Sequence, residues 1–308
     1  MKIAVIGAGA MGSLFGAYLG AGGNEVSLVD IWDDHVKKIN TGGLMIYEEG
    51  GPRNFELTAV TDPARLGRQE LVIVFVKSYH TAAALKRAKN LLGEGTQVLT
   101  LQNGLGNVEA ITGAAGEVTV IAGTTSHGAT LLGPARIKHA GVGETVIGKI
   151  SGKTDRSAEI AAEFSRCGLE TRVSDNIAGL IWGKLLVNVG INALTALLGV
   201  TNGRLTESES TLQLMKTLVS EGEAVARARG ITLPYADTFG KVVAVARATA
   251  ENRSSMLQDI DRRYPTEIDF INGAVAREGA RTGIPTPANR LVTLLIKSLE
   301  EKGQMARN

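Results

Sequence analysis

The chain has 308 residues, with 33 Lys plus Arg and 31 Asp plus Glu, for a formal net charge of +2. At ~100–200 residues per domain this length suggests two domains or one large one, and 44% hydrophobic residues exclude a disordered chain. Near-neutral charge and 4% aromatic residues offer no footprint for nucleic acid or an anionic membrane, while one Cys excludes a disulfide framework and, with four scattered His, argues against a metal cluster.

In chain order, residues 2–6 are a short β-branched run that reads as a strand, and a glycine-rich turn leads into a helix through about Leu19. The charge-free stretch 3–23 behind Lys2 imitates a signal peptide. Its glycines at 7, 9, 12, 16 and 20 make a poor apolar core but a good turn and packing pattern. Further strands are expected over 25–30, 71–76, 97–101, 118–122 and 144–150. Helices are expected over 79–92 and 157–167, the second stopped by Gly168. This alternation predicts an α/β, doubly wound, mostly parallel sheet with helices on both faces.

From about Asp175 the pattern is helix after helix: 177–198, 210–229, 234–250, 254–262, 266–281 and 286–302. Gly230 fits a helix stop, Pro234 and Pro287 suit first turns, and Thr266 with Asp269 has capping-box spacing. Domains of 1–174 (dinucleotide-binding) and 175–308 (all-α, substrate and catalytic) are expected. The stretch 180–200 is long enough to span a bilayer, at ~20 residues. Lys184, Asn188 and Asn192 inside it, and no basic cluster at either end, favour a buried helix of a soluble, cytoplasmic protein with no membrane partner.

Gly7, Ala8, Gly9, Ala10, Met11 and Gly12 spell GxGxxG between a strand and a helix, within a βαβ unit of about thirty residues. Gly7 would permit the tight turn, Gly9 the approach of a pyrophosphate, and Gly12 close packing of helix on strand. The helix start supplies free N–H groups and partial positive charge. Asp30 ends the second strand, where a carboxylate can bind ribose hydroxyls. Lys77 and Asn103 follow later strands and are placed for cofactor or substrate, although position alone also allows ordinary loop residues. Lys184, Asn188 and Asn192, continued by Thr195, recur every three or four residues and share one face of an otherwise apolar helix. That stripe must meet water, a polar neighbour or a ligand, and a Lys in an apolar setting can have a lowered pKa suited to proton transfer. His35, His80, His127 and His139 lack ligand spacing and read as surface or loop residues; Cys167 reads as structural and Trp182 as packing.

The chain resembles the ketopantoate reductases (2-dehydropantoate 2-reductases) over nearly its whole length. The resemblance rests on GAGAMG from Gly7, on Lys77, on LQNGLG from Leu101, and on Trp182-Gly183-Lys184 with Asn188 and Asn192. Asn202-Gly203, Asn252-Arg253-Ser254-Ser255-Met256 and Thr266-Glu267-Ile268-Asp269 complete it. It implies a Rossmann-type domain followed by an all-α domain of the 6-phosphogluconate-dehydrogenase kind, and hydride transfer from NADP(H) to a 2-oxo acid, giving (R)-pantoate on the route to pantothenate and coenzyme A. Lys184 would be the general acid. Asn188, Asn192, Asn202 and Ser255 would hold the substrate, and Asn103 would bridge substrate and cofactor. Glu267 would contact the nicotinamide end and help position Lys184, Ala129 would offer backbone contacts to the cofactor, and Lys77 would add positive charge. The two domains would close over the substrate, and the apolar helical domain could bury a homodimer interface. One departure stands out. NADPH-using members usually carry a basic residue where this chain has Asp30, and two like charges 4 Å apart near a surface repel by about 4 kcal/mol. NAD(H) is therefore expected to serve as well as NADP(H) or better. An NAD-dependent D-2-hydroxyacid dehydrogenase acting on branched or aromatic 2-oxo acids is the alternative; a non-catalytic dinucleotide-binding regulator would not need the polar stripe.

Overall fold

The apolar run at the N-terminus forms the first strand, β1 (Lys2–Ile6), in the computed structural model, which describes residues 1–305. There follow α1 (Ala10–Ala21), β2 (Glu25–Val29), α2 (Asp33–Gly42), β3 (Leu44–Glu48), β4 (Gly51–Phe55), β5 (Thr58–Val60), β6 (Leu71–Val74) and α3 (Thr81–Arg87). The chain continues through β7 (Gln97–Thr100), α4 (Asn107–Ala115), β8 (Thr119–Thr125), β9 (Gly128–Gly133), β10 (Arg136–Gly141), β11 (Thr145–Ser151), α5 (Ser157–Arg166) and β12 (Thr171–Val173). The main sheet has the order β12-β11-β8-β7-β6-β1-β2-β5. Its six strands from β8 to β5 are parallel, β11 runs antiparallel to β8, and β12 is parallel to β11. Strand order reverses beside β1, the switch point outside which ligands bind in such sheets. Ile3 and Val5 of β1 pack in one core with Leu14 and Phe15 of α1 and Phe164 of α5. Ala4 and Ile6, on the opposite pleat, join Leu85 of α3 and Ile111 of α4. Helices therefore cover both faces of the sheet, which is why its central strands are continuously apolar.

A second sheet, β4-β3-β10-β9, was not foreseen. Its strands carry little alternation: β4 is Gly-Pro-Arg-Asn-Phe and β9 is Gly-Ala-Thr-Leu-Leu-Gly. They are stabilised by pairing partners far away in sequence, such as Ile46 beside Ile137. Helix α1 touches both this sheet and the main one, so a helix apolar all round is fully accounted for by burial on two sides.

The remaining helices are α6 (Ile177–Leu198), α7 (Glu209–Ala228), α8 (Thr238–Ala248), α9 (Ser255–Asp261), α10 (Asn272–Thr282) and α11 (Pro287–Met305). The chain divides into two units, Met1–Gln102 with Asn107–Ile177, and Asn103–Gly106 with Ala178–Asn308. Helix α6 is long and apolar enough to cross a membrane, but 67% of its apolar window is buried inside the protein. Trp182, Leu185, Val189 and Ala193 contribute it to the core of the second unit.

Several local expectations change. Helix α8 starts at Thr238 rather than Pro234, because the Asp237 carboxylate accepts from the Gly240 N–H at 2.8 Å and caps it. The capping box at Thr266 does not form. Glu300 of α11 takes the Thr266 N–H at 2.7 Å, and the Asp269 carboxylate pairs with Lys297 at 2.9 Å. A short 3-10 turn, Ile268–Phe270, therefore precedes α10. His35 and His127 are buried rather than surface residues. His127 Nδ1 lies 3.1 Å from His139 Nε2, and burial lowers the pKa of all three rings. Gly168 and Gly230 adopt positive φ just beyond α5 and α7, as helix stops do.

Candidate active site

The glycine loop after β1 assigns each glycine a physical task. Gly7 has φ +96, and a Cβ there would lie 2.6 Å from the Val76 nitrogen. A Cβ on Gly12 would sit 1.9 Å from the Gly7 carbonyl oxygen. Over Gly9 there is open space, with nothing within 4 Å of a built Cβ. Helix α1 begins at Ala10 with no side-chain cap and no acidic residue in its first turn. Its first N–H groups and positive dipole end are thus presented beside a space that admits a phosphate.

Asp30 lies at the end of β2, and its carboxylate accepts from the Ala8 N–H at 2.7 Å and the Trp32 N–H at 3.0 Å. It braces the glycine loop while keeping lone pairs for a ribose hydroxyl. The next residue, Ile31, is 76% exposed. Lys38, one of two cations further along α2, is paired with Asp34 at 3.0 Å. Lys77 is half-buried just beyond β6, leading into a 3-10 turn. Gln102, which sequence reasoning passed over, ties the ends of β6 and β7 together by donating to the Val76 carbonyl at 2.6 Å and to the Thr81 hydroxyl at 2.8 Å. Ala129 lies apart from the main sheet, in β9, opposite His139. These features fit a dinucleotide: an open phosphate cradle on a helix start, and an acceptor at the end of the second strand.

In the second unit, the polar stripe on α6 is graded by depth. Lys184 and Asn188 are half-buried, Asn192 is 6% exposed and Thr195 is fully buried. Thr195 spends its hydroxyl on Ser254 at 2.7 Å and on helix carbonyls. Among the described residues, none hydrogen-bonds the side-chain amides of Asn188 and Asn192. Neither amide is among the buried unpartnered groups, so both reach solvent and can meet a polar ligand or water. Although the Lys184 residue is half-buried, its ammonium is enclosed by protein. Burial lowers its pKa from 10.5 to about 8, and the charge of Glu267 opposes that shift. Glu267, 7% exposed, immediately precedes the 3-10 turn before α10. Lys184 and Glu267, 83 positions apart in sequence, are thus brought within electrostatic reach of each other.

The other predicted site residues have mixed surroundings. Asn202 is buried, donates to the Thr249 hydroxyl at 2.9 Å and leaves its Oδ1 unpartnered. Its backbone N–H is held by the Asn252 carbonyl at 3.0 Å. Ser255 opens α9 and is exposed, whereas its neighbour Ser254 is the buried cap, accepting from the Leu257 N–H. Asn103 is half-buried, in the short segment that groups with the second unit. Within that segment the Leu105 N–H donates to the Phe270 carbonyl, and Gly104, at φ +82, has no room for a Cβ against it. Among the described residues no group of three or more His, Cys, Asp or Glu could hold a metal ion.

Known proteins resemble the chain over nearly its whole length. The family described as Ketopantoate reductase PanE/ApbA matches residues 3–152, and Ketopantoate reductase PanE/ApbA C terminal matches residues 176–300. The chain is 38% identical over 305 residues to the 2-dehydropantoate 2-reductase of Halobacterium salinarum, covering 98% of this chain and 100% of that one. It is also 38% identical over 305 residues to that of Pyrococcus horikoshii, covering 98% and 99%. Among solved structures, a PanE/ApbA family ketopantoate reductase from Ralstonia eutropha JMP134 superposes with a TM-score of 0.92 at 35% identity, over 99% of this chain and 100% of that one. D-mandelate dehydrogenase with NADH and anilino(oxo)acetate matches with a TM-score of 0.92 at 32% identity, over 99% of both chains.

Proposed function

The chain belongs to the ketopantoate reductase family, and within that family we propose that it is a 2-dehydropantoate 2-reductase, reducing the C2 carbonyl to give (R)-pantoate. It is an oxidoreductase that uses a nicotinamide dinucleotide. The observation that carries the mechanistic reading is Lys184, an enclosed ammonium with its pKa brought to about 8, on one helical face with the amides of Asn188 and Asn192.

A bound reduced nicotinamide supplies the hydride to C2. The chain supplies the proton: Lys184 Nζ donates it to the alkoxide oxygen as charge develops there. An acid is most effective when its pKa lies near the working pH, and burial moves Lys184 in that direction. Glu267 counters the burial and keeps the amine protonated at neutral pH. Asn188 and Asn192 hold the substrate's hydroxyl and carboxylate groups, joined by Ser255 and by the unpartnered oxygen of Asn202. Asn103 bridges substrate and cofactor, and Lys77 adds positive charge near the reacting carboxylate. On the first unit, Gly7, Ala8, Gly9, Ala10, Met11 and Gly12 receive the pyrophosphate, with Asp30 on the ribose and Ala129 offering backbone contacts. Soluble metabolites as substrates support a cytoplasmic enzyme.

Asp30 leads us to assign NADH a specificity constant at least equal to that of NADPH, because a carboxylate repels a 2′-phosphate. The same residue, together with the likeness to D-mandelate dehydrogenase, supports a second reading: an NAD-dependent D-2-hydroxyacid dehydrogenase acting on branched or aromatic 2-oxo acids. Initial rates of NADH and NADPH oxidation with 2-dehydropantoate, against a panel of such acids, separate the two. A specificity constant about a hundredfold higher for 2-dehydropantoate, or ~2.7 kcal/mol, is expected. Preference for another 2-oxo acid would transfer the chain to the dehydrogenases, and a strong preference for NADPH would overturn the role given to Asp30.

A further inference from the structure

The glycine loop rests on a buried hydrogen-bond chain that the hydride transfer does not use. His35, in α2, is 0% exposed and stacks on Trp32 with ring centroids 5.2 Å apart. Its Nδ1 accepts from the Ala135 N–H at 3.0 Å, so that nitrogen carries no proton and the neutral ring holds its proton on Nε2. Nε2 faces Ser13 Oγ at 3.5 Å, and Ser13, also fully buried, donates to the Ala8 carbonyl at 2.7 Å. On its other side the Ala8 N–H donates to Asp30. The Ala8 residue, in the middle of Gly7-Ala8-Gly9, is therefore clamped at both its amide and its carbonyl. At the far end of the chain, Ala135 has φ 56, a conformation rare for a residue with a Cβ, in the turn between β9 and β10.

We propose that Ser13 and His35 are positioning residues for the cofactor: they hold the Ala8 peptide so that the α1 N–H groups stay aimed at the pyrophosphate. The inference rests on the reading of Gly7 to Gly12 as the cofactor loop. It has a pH consequence. A doubly protonated His35 cannot accept the Ala135 N–H, and the chain loses its anchor. The charged groups acting on the ring are Asp30 and Asp34, which favour protonation; α1 and the β9–β10 turn present Ser13, Ala8 and Ala135, none of which titrates. Burial outweighs the two carboxylates and holds the imidazole below its usual 6.5. The contribution of His35 to cofactor affinity is therefore constant above that pH and is lost as pH drops through its lowered value.

The test is fluorescence titration of NADH into the full chain between pH 5 and 8, for wild type, Ser13→Ala and His35→Asn, with melting temperature and kcat measured alongside. NADH is the probe because the 2′-phosphate of NADPH itself titrates near pH ~6. In His35→Asn the side-chain amide oxygen can accept where Nδ1 does but takes up no proton. Ser13→Ala is expected to raise the NADH dissociation constant about tenfold, the loss appearing in affinity rather than in kcat at saturating NADH. Wild-type affinity should fall once pH drops below the lowered value of His35, and His35→Asn should flatten that fall. An unchanged dissociation constant in Ser13→Ala would overturn the proposal, as would an acid fall in the wild type that His35→Asn retains in full. If His35→Asn does not fold, the Ser13→Ala constant decides. Wild-type protein that binds neither NADH nor NADPH would refute the cofactor reading itself, and the inference with it.

Discussion

Replacing Lys184 by Met removes the proton donor while keeping an unbranched side chain on α6. Burial brings the ammonium from 10.5 to about 8 despite the opposing charge of Glu267, a displacement worth roughly 3 kcal/mol in favour of the neutral amine. At pH 7 such a group is still roughly nine-tenths protonated and is a far better proton donor than a free lysine. A general acid contributes about 10²–10⁴ to the rate, so Lys184→Met should raise the barrier by roughly 2.7–5.5 kcal/mol. The assay is cofactor oxidation at saturating substrates across pH 6 to 10. Wild-type kcat should decline above about pH 8 as the amine loses its proton, whereas the residual rate of the variant should show no such break. Stability offers an independent check. Between about 8 and 10.5 the unfolded chain binds more protons at this position than the folded one, so this group makes folding more favourable as pH rises. The contribution is present above the unfolded value and lost as pH falls through the folded one. The stability difference between wild type and variant, measured by denaturant unfolding, should therefore shift in favour of wild type by up to ~3 kcal/mol over that range. Near-full turnover in the variant, or a difference independent of pH, would refute the reasoning.

Glu267→Gln should move the break in the wild-type kcat profile to lower pH, because it removes the charge that opposes burial at Lys184; a break at an unchanged pH counts against that coupling. Gly12→Ala places a methyl 1.9 Å from the Gly7 carbonyl and should cost roughly 1–3 kcal/mol of stability, seen as a lower melting temperature. Gly9→Ala meets no protein atom within 4 Å, so its melting temperature should hold while its cofactor dissociation constant rises by about tenfold or more, the methyl lying where a phosphate approaches. Ser255→Ala, at an exposed position, should leave stability unchanged and raise the KM for the 2-oxo acid about tenfold.

Much of the fold was legible because its cues are local. The strand–glycine turn–helix at residues 2–21 and the uninterrupted helix Ile177–Leu198 follow from periodicity and glycine spacing alone. The second sheet was not legible, since β4 and β9 have no apolar alternation of their own. The polar stripe could be placed on one helical face from its spacing. That spacing was silent on which members find protein partners: Thr195 is taken by Ser254, 59 positions away, while among the described residues none takes the side-chain amides of Asn188 and Asn192.

Residue order was enough for the glycine loop, for Asp30 at the end of β2 and for the succession of chemistry-bearing residues, because backbone turns and helical faces depend on neighbours a few positions apart. Which groups are dry and which charges meet emerged with the folded arrangement. His35 reads as a surface residue until Ala135, 100 positions later, donates to its ring. Lys184 reads as a Lys in an apolar setting until the fold encloses its ammonium and brings Glu267 within reach. Desolvation and long-range hydrogen bonds depend on what the folded chain places around a group, and one-dimensional spacing does not carry that information.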